Sequence, residues 1–136
     1  MTVENIIIEL DEMLPNVFTN ANKVAWLNEL DKKIYEEVVK THEGYEDVTL
    51  ATYVVPTTGS SQAMLVPEPY SVLYLYYLMT KVYFFDAEYG RYNNTSQIFN
   101  QSYREFTAWY NERVKPLAHE FNYENNTVMT IAELDI

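Results

Sequence analysis

Between Tyr70 and Phe85 the chain carries one charged side chain, Lys81, among Leu73, Leu75, Leu78, Val82, two phenylalanines and five tyrosines. On a helical period these apolar and amphipathic side chains cover the whole circumference, so the helix must be enclosed on most sides. Other helices have to pack around it, or a second subunit has to cover part of it. Two readings are open. In one it is a central core helix whose tyrosines turn their hydroxyls to the rim. In the other it also forms a subunit interface, where tyrosine packs and hydrogen-bonds at once.

The covering helices are legible in the rest of the chain. Val3, Ile7, Leu10 and Leu14 recur at helical spacing before Pro15, predicting a first helix over Val3–Met13. Thr19 or Asn20 caps a second helix, about Asn20–Thr41, whose apolar positions Val24, Leu27, Leu30, Ile34 and Val38 step by three or four. Gly44 closes it just past Lys40. The apolar run extends to a third helix that opens behind Pro67 and Pro69, at about Glu68, and runs to near Gly90. Asn93 and Asn94 mark a break, and Asn94 or Thr95 caps a fourth helix through Phe99, Tyr103, Phe106, Tyr110 and Val114 to Pro116. The last two helices are expected to form an antiparallel pair.

Val48–Val66 has a different pattern and no charge. Val48, Thr49, Tyr53, Val54 and Val55 are β-branched or aromatic, and the Thr57–Ser61 cluster separates them from Ala63–Val66. This predicts a β-hairpin at about 48–66. Only Pro56 guards its edges, so it either packs on its own helices or is completed by another chain. The expected fold is mainly α: a single four-helix bundle-like domain over 1–116 with the hairpin between the second and third helices. The tail, 117–136, reads either as a loose end or as holding a short strand over Thr127–Ile131.

A chain of 136 residues suits one domain. The absence of cysteine excludes a disulfide framework, a thiolate nucleophile and Cys-ligated metal sites. A net charge of −11 argues against a nucleic-acid-binding surface, which draws its affinity from clustered Lys and Arg. Met1–Glu12 holds no basic residue and so does not read as a signal peptide. The longest uncharged stretch, Val48–Pro67, is broken by Pro56 and a polar cluster, so no membrane span is expected. His42 and His119 sit in no ligand spacing, and Gly44, Gly59 and Gly90 are isolated, which leaves no phosphate-cradling loop. No catalytic, cofactor-binding or metal-binding residue is therefore assigned. Glu36, Glu37, Glu43, Glu46 and Asp47 read as a solvated acidic face.

Several short motifs add a resemblance. Leu65-Val-Pro-Glu-Pro-Tyr70, Leu75-Tyr-Tyr-Leu-Met79, Glu88-Tyr-Gly-Arg-Tyr-Asn-Asn94, Phe99-Asn100 and Phe106-Thr-Ala-Trp-Tyr-Asn111 are joined by Trp26-Leu-Asn-Glu-Leu-Asp31, Ile34-Tyr-Glu-Glu37 and Thr41-His-Glu43. Over about Trp26–Asn111 the chain resembles the head-tail connector, or adaptor, proteins of tailed phages and prophages of Gram-positive hosts. The resemblance implies a mostly helical, non-enzymatic subunit of a ring below the portal, with the portal and tail components as partners. It places the protein in the virion, and in the host cytoplasm during assembly. It brings no catalytic residue, no cofactor and no sequence-specific nucleic acid binding.

Two other classes stay open. An acidic inhibitor that mimics DNA needs its charge arrayed along one face, whereas residues 1–47 carry 4 basic and 11 acidic side chains and residues 48–136 carry 5 and 9. A small hydrolase using a carboxylate pair needs a cleft and a carboxyl of raised pKa. For the connector reading, the interface residues expected are Tyr53 and Val55 on the open hairpin, with Tyr76 and Tyr83 on the aromatic helix.

Overall fold

A computed structural model describes residues 1–117. It contains four helices, α1 (Val3–Met13), α2 (Asn20–Glu37), α3 (Val72–Phe85) and α4 (Tyr89–Arg113), with single 3-10 turns at Val39–Thr41 and Tyr45–Asp47. The tail over Thr127–Ile131, and His119, lie outside the described residues. None of the described helices is long and apolar enough to cross a membrane.

Local chemistry sets the helix ends. Thr2 and Asn5 close a reciprocal capping box on α1, and the Thr19 side chain accepts from the Asn22 amide at the start of α2. α2 stops at Glu37 rather than Thr41, because the chain tightens there into 3-10 geometry. α3 starts at Val72 rather than Glu68. Residues 67–74 are spent first on successive tight turns, from the Tyr70 amide to the Pro67 carbonyl and from the Tyr74 amide to that of Ser71. At its far end α3 stops at Phe85, well short of Gly90. Ala87 takes a left-handed conformation, φ 59°, and turns the chain directly into α4. The break expected at Asn93 and Asn94 is thus displaced, and both asparagines lie exposed inside α4.

α3 and α4 form a helical hairpin, with α1 and α2 packed against α3. The core runs from Val3, Ile6 and Leu10 of α1 through Leu27, Leu30 and Ile34 of α2 to Leu73, Tyr74 and Leu78 of α3, closed by Phe99 and Phe106 of α4. After α4 the chain returns to the end of α2. The Leu117 amide donates to the Thr41 carbonyl and the Glu43 amide to that of Lys115, both at 2.8 Å.

The expected β-hairpin is absent. No strand forms among the described residues, and the only bridge within 48–66 joins Ala63 to Thr2. The backbone groups that would have paired across a hairpin are taken by amide side chains. Asn28 of α2 accepts from the Tyr53 amide at 2.8 Å and donates to its carbonyl at 3.1 Å. Gln62 does the same to Val54, at 2.8 and 2.9 Å. A carboxamide presents one donor and one acceptor side by side, as a peptide group does, so two side chains replace the partner strand. Asn28→Ala removes both partners of Tyr53 and is expected to destabilise the fold by about 1 to 3 kcal/mol. Amide exchange at Tyr53 should accelerate; unchanged protection there would show that Asn28 does not hold the segment.

Candidate interaction surface

The buried polar groups come first, because they decide what is left for the surface. Asp31 lies on the apolar face of α2 and is 1% exposed. Tyr74 of α3 donates to one carboxylate oxygen at 2.6 Å, and Tyr53 donates to the other. Each tyrosine oxygen in turn accepts a backbone N–H, from Leu65 at 3.0 Å and Val66 at 2.9 Å. Two parallel relays thus fasten the 48–71 segment to α2 and α3. Burial pushes the Asp31 carboxyl up from its ordinary 3.8, against the tyrosine hydrogen bonds, which favour the ionised form. Burial and the neighbouring carboxylate raise both tyrosines above their ordinary 10.0, so they stay protonated as donors.

Other acids of α2 are used the same way. Tyr77 donates to Glu29 at 2.8 Å and Tyr103 to Glu37 at 3.0 Å. Glu37 is therefore more than part of a solvated face. Lys23, itself buried, is paired with Asp11 at 2.7 Å. His42 is also interior: Nδ1 donates to the Val38 carbonyl at 2.6 Å, and Nε2 lies 2.7 Å from the Asn111 carboxamide oxygen. Among the described residues no group of three or more His, Asp or Glu is placed to hold a metal ion.

The four residues expected at an interface fall in separate places. Tyr53 is core, 4% exposed, with its hydroxyl committed to Asp31. Val55 is 48% exposed and Val54, beside it, 63%. Tyr76 lines an open groove between α3 and α4 of about 520 Å³. Tyr83 is half-buried near the end of α3. A second apolar feature, not anticipated from the sequence, lies where α3 meets α4. Trp26 stacks on Phe85 at 5.7 Å, Phe18 packs on both, and Phe84 leads on to Tyr89 and Tyr92. Its signal was the Phe84–Phe85 pair, which a helix running on to Gly90 would have hidden.

Comparison of the chain with protein-family models, with curated proteins and with solved structures gives no match. The connector resemblance accordingly rests on the short motifs, and the surface has to be argued from its own chemistry.

Proposed function

We propose that the protein is a non-enzymatic structural subunit that assembles into a ring, acting as a head-tail connector below the portal of a tailed phage. Portal and tail components are its partners, and the virion is its final location. The observation that carries this reading is the 48–66 segment. It has no charge on a chain of net charge −11, and side-chain relays from α2 and α3 hold it in place. It leaves Val54 and Val55 facing solvent. Contiguous exposed apolar surface on an ordered segment marks a contact site. A net negative subunit also lets DNA pass through a channel without adhering to it.

The two competing classes draw less support. A hydrolase would use a carboxyl of raised pKa, and the one with that property among the described residues, Asp31, is sealed in the core with both oxygens bound by tyrosines. A DNA mimic needs free acids along one face, whereas Glu29 and Glu37 accept from tyrosines of other helices.

The test is incorporation into particles. Val55→Lys places a charge on the exposed segment without touching the core, so the subunit should fold normally and fail to enter assembled particles. Tyr53 is unsuited to this test, because a lysine there would break the Asp31 relay. Normal incorporation of a folded Val55→Lys subunit would sink the proposal that this segment makes the contact.

A further inference from the structure

Charge is distributed very unevenly along this chain. Residues 48–103 hold only Glu68, Lys81, Asp86, Glu88 and Arg91, and residues 69–80 and 92–103 hold none. The last two stretches lie mostly on α3 and on the first half of α4. They line the open groove between those helices, with Val72, Tyr76 and Ile98 as its apolar part and Asn94, Gln97 and Gln101 as uncharged polar neighbours. Glu105 is the one ionised group there. Val72 and Ile98 are 38% and 47% exposed.

We infer that this groove receives the 54–55 corner of a second copy of the chain, in a head-to-tail contact. The inference deepens the ring reading and rests on it only for the closure of the ring. Two arguments fix the occupant. Two bodies of charge −11 repel, and the cost is least where ionised groups are fewest. The 48–66 segment has none and the groove has Glu105 alone, and interface cores are depleted of charge in the same way. The second argument is shape. A concave groove laid against its own copy across a two-fold axis leaves empty space at its centre. An exposed pair of valines and an open groove of about 520 Å³ fit instead as unlike partners. Contacts between unlike patches are heterologous, and they close into rings where the rotation permits.

The chain has no cysteine, so introduced thiols report alone. Purified Val55→Cys protein is mixed with Ile98→Cys protein and treated with a short bis-maleimide linker; Val54→Cys with Val72→Cys serves as a second pair. Melting curves confirm that each variant is folded, as the exposure of all four positions leads us to expect. The expected result is a cross-linked dimer in each mixture and none from any variant alone. Dimers from Val55→Cys alone would mean that the segments pair with each other. Dimers from Ile98→Cys alone would mean that two grooves meet. Either result, or no cross-linking in any mixture, overturns the inference. The connector reading is judged apart from this, by particle incorporation. Cross-linking in the mixtures, with wild-type protein absent from assembled particles, would keep the contact and remove the connector role.

Discussion

Asp31→Ala is expected to be among the most destabilising single substitutions in this chain. It strips the acceptor from two buried hydroxyls at once, Tyr53 and Tyr74, and each unsatisfied group costs about 1 to 3 kcal/mol. The sum is a large part of the roughly 5 to 15 kcal/mol that holds a domain together. Asp31→Asn should fall between wild type and alanine. Its carboxamide oxygen accepts from one tyrosine, but its NH2 faces a hydroxyl that already accepts a backbone N–H, and that hydroxyl's own proton is left without an acceptor. Urea unfolding followed by circular dichroism should rank the three proteins wild type, asparagine, alanine. An unchanged midpoint for Asp31→Ala would show that the relay does not hold the fold.

The same comparison has a pH signature. Burial raises the folded-state pKa of Asp31 above its ordinary 3.8, so the folded protein binds the proton more tightly than the unfolded chain. The stability linked to that proton is full below 3.8 and is lost as pH rises through the raised value. Glu29 acts in the opposite sense. Hydrogen bonds from Tyr77 and Lys81 hold its carboxyl below the ordinary 4.5, so its contribution is present above 4.5 and is lost as pH falls through the lowered value. Asp31→Asn removes only the first effect. Unfolding measured across roughly pH 3 to 7, the range in which carboxyls titrate, should show wild type losing ground to Asp31→Asn as pH rises. A gap that stays constant, or that widens toward high pH, would contradict the buried position of this carboxylate.

Asp31 also shows why part of this architecture was legible and part was not. The α2 stripe Val24, Leu27, Ile34 and Val38 is spaced so that position 31 belongs to it, and an aspartate there is a polar residue on a core face. That signal was present and points to a buried acid needing partners. Its partners were not readable, since Tyr53 and Tyr74 approach only when the chain folds over distances of 22 and 43 residues. The same reason explains the missing hairpin. β-propensity in Val48–Val55 describes side chains that suit an extended, half-buried backbone, and tertiary context decides what satisfies that backbone. Here Asn28 and Gln62 do so, and neither amide announces the role in sequence. At the α3–α4 corner, Asn93, Asn94 and Gly90 are stronger turn formers than Ala87, yet Ala87 makes the turn. Packing of the two helices along each other outweighs a local preference of about 1 to 2 kcal/mol. Of the expected interface residues, Val55 and Tyr76 border surface features, whereas Tyr53, in a run that reads equally well as edge strand or as core, belongs to the interior.

Leu78→Ala is expected to produce the other large loss, and it tests the enclosure of α3 that the Tyr70–Phe85 run, with Lys81 its one charge, demanded. Leu78 is fully buried, as is Leu73 one and a half turns earlier, and both pack in the cluster that joins α3 to the other three helices. Removing a buried leucine side chain costs about 2 to 5 kcal/mol, the upper end applying where neighbours cannot collapse into the space. At roughly 4 °C per kcal/mol for a domain of this size, the melting temperature should drop by roughly 8 to 20 °C. Val17→Ser is the control, because Val17 is 91% exposed and lies outside the core cluster, and surface changes usually stay within about 0.5 kcal/mol. If the two variants melt alike, α3 is not the central helix, and the tyrosine relays, not its apolar packing, carry the fold.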